Sequence, residues 1–149
     1  MHVLFVCTGN TCRSPIAEAL FNHKIEQAGL ADKIEARSAG LYKFPGTMVS
    51  QHTRTVLSEY GITCDRRQPQ GLNRELLVWA DLVLTMTRFH KRVAIVFFPQ
   101  SRNKIFTLKE FVGEQSLDVS DPVGKSLSVY RQCAAEIEQV LDRLFAKIR

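Results

Sequence analysis

Hydrophobic and polar positions change their period repeatedly along the chain. His2–Val6 is a short run, apolar after its first residue, that stops at Thr8-Gly9-Asn10. Such a run suits a strand buried on both faces. Pro15 fits the first turn of a helix, with Ile16, Ala19, Leu20, His23 and Ala28 near one face up to Gly29. Ile34–Ser38 predicts a second strand closed by Ala39-Gly40, and a stretch rich in Gly, Pro and Thr follows it. A helix is predicted over about Ser50–Tyr60 with Gly61 as its stop, then a short one over Leu72–Trp79 with Asn73 as candidate cap. Asp81–Met86 and Lys104–Leu108 read as the third and fourth strands. Between them a helix over about Arg88–Phe98 is stopped by Pro99. The last helix starts near Lys125 and carries Leu127, Tyr130, Ala134, Ile137, Leu141 and Leu144 as its apolar stripe.

Strand alternating with helix implies an α/β fold, a parallel sheet joined by right-handed crossovers with helices on both faces. Ligands of such sheets bind beyond the carboxyl ends of the strands. The first strand runs straight into Cys7, so position and chemistry coincide there.

Composition narrows the class. The length of 149 residues is that of one domain, and 45% hydrophobic with 23% charged residues is ordinary for a globular chain. The longest apolar run, Val93–Phe98, is far short of the ~20 residues that span a bilayer. Met1-His2 shows no basic leader, so a soluble, cytoplasmic protein is expected. The net charge of +5 favours anionic partners, but the basic residues are scattered without interleaved aromatics, which argues against nucleic acid. Of the four cysteines only Cys7 and Cys12 are close. No second Cys or His pair completes a zinc site, so the four read as thiols.

Residues 7–14 read Cys-Thr-Gly-Asn-Thr-Cys-Arg-Ser, followed by Pro15. A cysteine and an arginine separated by five residues mean little alone; their context decides. A glycine-bearing loop between a buried strand and a helix N-terminus gathers backbone N–H groups into one concavity, which suits a tetrahedral oxyanion. Thr8, Gly9, Asn10, Thr11 and Cys12 would supply that cradle, and Arg13 adds a planar fork for two phosphoryl oxygens. These surroundings favour the thiolate of Cys7, the nucleophilic form of cysteine. Ser14 either donates to that thiolate or caps the helix. Cys12 either packs under the helix or traps an oxidised Cys7 as a disulfide.

The loop, Ser38-Ala39-Gly40 after the second strand and Asp121-Pro122 before the last helix together resemble the low-molecular-weight protein-tyrosine phosphatase family. Within it the chain is most similar to the bacterial protein-arginine phosphatases. These share Thr at position 11, the run Ala80-Asp81-Leu82-Val83-Leu84 followed by Met86-Thr87, and the Phe-Thr-Leu-Lys-Glu stretch at 106–110. The resemblance implies one flavodoxin-like domain over residues 1–149, with a four-stranded parallel sheet. It also implies Cys7 as nucleophile, Arg13 as phosphate clamp, Asp121 as general acid, and Asn10 and Ser38 as braces behind the loop. No metal or organic cofactor is expected, and phosphorylated proteins are the expected substrates of a monomer. Asp121 also makes chemical sense by itself, since the departing atom needs a proton that a carboxylic acid on a loop can supply. Asp118 is its nearby rival.

Four positions depart from the family's pattern. Val123-Gly124 follow Asp-Pro where aromatic walls are usual, Leu41 stands where Trp is frequent, and Arg67 replaces a common histidine. Thr11 puts a hydroxyl where a branched apolar residue usually meets the ring, which favours phosphoarginine over phosphotyrosine. Arsenate reductases of this fold carry a similar hydroxyl, but they need a further cysteine pair near the third strand. This chain has no cysteine between Cys64 and Cys133. A phosphate-binding module without turnover is the remaining alternative.

Overall fold

The computed structural model describes residues 1–44, 46–64 and 68–149. Four parallel strands form one sheet in the order β2-β1-β3-β4. They are β1 (His2–Cys7), β2 (Glu35–Gly40), β3 (Leu82–Thr85) and β4 (Ile105–Thr107). Among the described residues six α-helices accompany them: α1 (Arg13–Gln27), α2 (Gln51–Glu59), α3 (Arg74–Trp79), α4 (Arg88–Phe97), α5 (Leu108–Phe111) and α6 (Leu127–Ile148).

The pleat of β1 sorts the core. Val3, Phe5 and Cys7 pack with α1, α2 and α6, whereas Leu4 and Val6 pack with α3 and α4 on the other face. Cys7 therefore leaves the sheet on the side that α1 covers. Its register against Gly40 places the ends of β1 and β2 side by side. A Cβ on Gly40 would lie 2.8 Å from the Gly9 carbonyl carbon and 2.9 Å from the Asn10 nitrogen. Only glycine lets β2 approach the loop so closely.

The caps explain several boundaries. Asn73 accepts from the Leu76 N–H at 2.8 Å, as its sequence position predicts, and Ser50 and Thr87 cap α2 and α4 in the same way. The fourth strand ends earlier than expected, because Thr107 and Glu110 form a reciprocal capping box that starts α5 at Leu108. Pro99 does end α4, but it also opens a 3₁₀ turn over Pro99–Lys104. The α1 face needs correction: Ala28 is exposed, while Phe21 and Ile25 are buried. Helix α1 is wedged between β2 and α6, so its buried arc is wider than one stripe and rotated toward Phe21.

Among the described residues no helix is long and apolar enough to cross a membrane.

Candidate active site

The loop between β1 and α1 is fixed by its own side chains. Asn10 adopts φ 58°, the only non-glycine residue in the left-handed region among those described, and its side chain is fully buried. That conformation costs energy for most residues, and hydrogen bonds hold it here. Asn10 Oδ1 accepts the Gln70 N–H at 3.0 Å, which sets the amide orientation. Asn10 Nδ2 then donates to Ser14 Oγ at 2.8 Å and to Ser38 Oγ at 2.9 Å. Ser38 in turn donates to a Glu18 carboxylate oxygen.

Ser14 Oγ accepts from Asn10 and lies 2.8 Å from Cys7 Sγ, against 3.5 Å from Ala39 O, so its hydroxyl is within reach to donate to a Cys7 thiolate. Ser14 is not a cap: the helix boundary falls at Cys12, which makes no capping bond. Asn10 and Ser38 thus stand where the sequence predicts braces. Gln70 and Glu18 are additional braces, of which Glu18 lies one helical turn beyond Ser14.

The carbonyls and flanks of the loop are equally occupied. Leu41 N–H donates to Cys7 O at 2.9 Å and Tyr42 N–H to Thr8 O at 3.0 Å. Thr11 O accepts from Ser50 N–H and Thr53 Oγ1, each at 3.1 Å, tying the loop to the start of α2. These bonds fix the loop in a glycine-bearing turn at a helix N-terminus, a backbone shape that suits an anion. Cys12 is buried, with Sγ 3.2 Å from the Tyr130 hydroxyl. Burial pushes the Tyr130 pKa up to about 12, and the bond with Cys12 adds to this.

Arg13 is buried at the start of α1 and reaches the segment before α6. Its Nη1 donates to Val119 O at 2.9 Å, and Nη2 stands 3.6 Å from Asp121 Oδ2. Val119 is itself anchored by its N–H to Met86 O at 2.8 Å, beyond the end of β3. Asp121 is half exposed and accepts the Val123 N–H at 3.0 Å. The chain then turns through Lys125 N–H to Pro122 O, with Gly124 at φ 77° in the position that demands it. Asp118 is differently placed. Arg88 holds it through a backbone N–H at 2.9 Å and through its guanidinium, which lowers the Asp118 pKa. A carboxylate so held is a poor proton donor; Asp121, the other carboxylate of this segment, faces Arg13 instead.

Besides Gln70 and Glu18, two further residues of the site gave no sequence signal. His90 of α4 is buried, with Nε2 2.8 Å from Thr8 Oγ1. Burial, with the nearby Arg13 charge, pulls its pKa down to about 4, so the ring is neutral at physiological pH. Phe44 lies over the loop: a Cβ on Gly9 would sit 3.7 Å from its ring. An aromatic ring therefore reaches the loop from the segment after β2. Arg67 lies outside the described residues.

Cys64 and Cys133 do not form the relay that an arsenate reductase needs. Cys133 is buried on α6, where desolvation raises its pKa to about 12. Among the described residues, no group of three or more His, Cys, Asp or Glu could hold a metal ion.

A family described as low molecular weight phosphotyrosine protein phosphatase matches residues 2–149. The chain belongs to that family. This phosphatase is 43% identical over 147 residues to a protein-arginine-phosphatase of Geobacillus stearothermophilus, covering 99% of this chain and 95% of the relative. Its fold matches that of a cysteine-to-serine mutant of the YwlE arginine phosphatase with a phosphorylated active site serine. That match has TM-score 0.93 at 41% identity, over 99% of this chain and 95% of the other. A low molecular weight protein tyrosine phosphatase from T. tengcongensis matches with TM-score 0.92 at 47% identity, over 99% of each chain. As a member of the family the protein is a phosphoprotein phosphatase. Both substrate names occur among its relatives, so the side chain it serves is a matter for the site.

Proposed function

We propose that residues 1–149 form one cytoplasmic, monomeric phosphatase domain that hydrolyses phosphoarginine in proteins. Cys7 thiolate attacks phosphorus in line with the departing guanidinium nitrogen, while Arg13 and the loop N–H groups hold the equatorial oxygens. The P–N bond breaks as an S–P bond forms, and Asp121 gives its proton to the leaving nitrogen. Water then attacks the cysteinyl-phosphate. Asp121, now a carboxylate, takes the water's proton, and phosphate leaves as Cys7 returns to thiolate. Ser14 stabilises the sulfur's charge in its free form, which makes the sulfur the better leaving group of the second step.

Thr11 carries the choice of substrate. It is half buried, its backbone is pinned to α2, and its γ-methyl lies 4.0 Å from the position a Cβ would take on Gly9. Its hydroxyl makes only a long 3.5 Å contact, with Cys12 Sγ. That leaves it available to a guanidinium N–H or to the attacking water. The name of the Geobacillus relative supports the same reading. Phe44 favours the second reading, phosphotyrosine, because an aromatic ring over Gly9 can stack on a phenyl leaving group.

Paired peptides that differ only in phosphoarginine or phosphotyrosine separate the two. The wild-type protein is expected to give the larger kcat/KM on phosphoarginine. Thr11→Ile is expected to lose more on phosphoarginine than it gains on phosphotyrosine. A lost hydrogen-bond partner costs more than the about 1–3 kcal/mol of added apolar contact. A wild-type preference for phosphotyrosine would overturn the arginine reading.

A further inference from the structure

Helix α4 turns its apolar side the wrong way. Its inner face buries only His90 and Ala94, while Phe89, Val96 and Phe97 are 53%, 74% and 60% exposed. With half-buried Val93 they follow the spacing i, i+4, i+7, i+8, which is one helical face. On a solvent-facing helix that face is normally charged, and an apolar strip left open marks an interaction site. The strip borders a groove of about 360 Å³ lined by Tyr42, Phe89, Arg92, Val93, Val96 and Phe97.

The groove is continuous with the mouth of the phosphate loop. Tyr42, which lines it, donates its N–H to Thr8 O, and its ring lies 6.3 Å from that of Phe44 over Gly9. One residue beyond Phe89, His90 contacts Thr8 Oγ1. A chain whose phosphorylated side chain is in the loop must therefore leave the mouth beside this strip or across from it. We infer that the groove seats an apolar side chain of the protein substrate, a few residues along the chain from the phosphorylated one. This rests on the reading of the protein as a phosphoprotein phosphatase, but not on which side chain carries the phosphate. From Phe89 to Phe97 the helix rises about 12 Å. An extended chain covers that length in about four residues, which sets the four flanking positions on either side of the phosphorylated residue as the ones to vary. Arg92 at the groove favours an acidic neighbour beside it.

The test uses two substrate sets with wild-type protein and with Val96→Asp and Phe97→Ser, both at exposed positions that leave the core intact. One set is p-nitrophenyl phosphate, which cannot reach the groove. The other is phosphopeptides, prepared with phosphoarginine and with phosphotyrosine, carrying Leu or Ser at each of the four flanking positions on either side. For the phosphorylated residue that the protein accepts, Leu at one of these positions is expected to raise wild-type kcat/KM about tenfold over Ser, the effect of seating one aliphatic side chain. Val96→Asp and Phe97→Ser should remove that advantage and leave p-nitrophenyl phosphate hydrolysis unchanged. No Leu advantage at any position, or an equal loss on both sets, would overturn the proposal. So would a wild-type dimer in sedimentation that Val96→Asp converts to monomer, since a second copy would then own the strip. Activity on phosphotyrosine alone would count against the arginine reading and leave the groove's test intact.

Discussion

The two segments that meet at Arg13 are built on opposite plans. Residues 7–14 are held from every side: Asn10 is fully buried and bonded to Gln70, Ser14 and Ser38, and Gly40 touches the loop backbone. Residues 118–124 are held less completely: Val119 and Pro122 are buried, while Ser120, Asp121, Val123 and Gly124 are exposed. Their candidate acid, Asp121, is half exposed and, among the described residues, is tied by the Val123 N–H and a 3.6 Å approach to Arg13. The difference follows the chemistry. Donors that stabilise a developing oxyanion must not reorganise during reaction, so their frame is over-determined. A proton carrier must act first as acid and then as base on different partners, and light tethering suits that exchange.

The largest effects should come from the lightly held side. Asp121→Asn is expected to lower kcat on phosphopeptides by about 10²–10⁴-fold, the usual contribution of a general acid. Asp118→Asn, which only releases Arg88, should change it by no more than a few-fold. Reversed magnitudes in steady-state assays would move the acid to Asp118. Next, Arg13→Lys should cost about 10²–10³-fold in kcat, because an ammonium keeps the charge but loses the fork. It should also loosen the segment carrying Val119 and Asp121, visible as faster hydrogen exchange there.

On the rigid side the readout is stability. Asn10→Ala leaves the left-handed φ strained and strips Ser14, Ser38 and Gln70 of a shared partner. A loss of about 2–4 kcal/mol is expected, seen as a lower denaturation midpoint, with activity falling alongside. An unchanged midpoint would mean that the network does not define the loop.

The smallest effect is a pH dependence behind the loop. His90 has a pKa of about 4 when folded against 6.5 when free, because burial disfavours its charged form. At pH above 6.5 both states are neutral and nothing changes. As pH falls from 6.5 toward 4 the unfolded chain takes up a proton that the folded chain refuses, so stability falls and then levels off. Asp118 and Glu110, whose pKa values are lowered from 3.8 and 4.5, lose their contributions only at lower pH. Between pH 6.5 and 5 a His90→Gln variant should therefore show a flatter Tm profile than wild type. Parallel profiles would assign the slope to other groups.

The same contrast explains what could be read from sequence. The loop, its strand and the start of α1 are contiguous, so Cys7, Arg13 and Ser14 could be read together as candidates from their context, though not from their spacing alone. The sheet was legible too, since β1 is a nearly unbroken apolar run and the helices between strands force parallel pairing. Gln70, His90 and Phe44 were not. Each reaches the loop from a distant segment, and a lone Gln, His or Phe has no local pattern to mark it. The exposed strip of α4 was hidden for another reason: Phe89, Val93, Val96 and Phe97 have the spacing of a core face, and only the packing shows that nothing described covers it. Asp121 is intermediate, because Asp before Pro is an ordinary turn signal. Its placement beside Arg13 is what separates it from Asp118.

In the proposed mechanism Cys7 carries the phosphoryl group and Asp121 is needed to release it. The direct measurement is acid-quenched mass spectrometry of Asp121→Asn protein mixed with p-nitrophenyl phosphate, whose good leaving group departs without the acid. The account predicts a phosphoryl group on the peptide containing Cys7, at more than wild-type occupancy, and none in Cys7→Ser,Asp121→Asn protein. No covalent phosphate while p-nitrophenol is released, or phosphate on a peptide lacking Cys7, would contradict it.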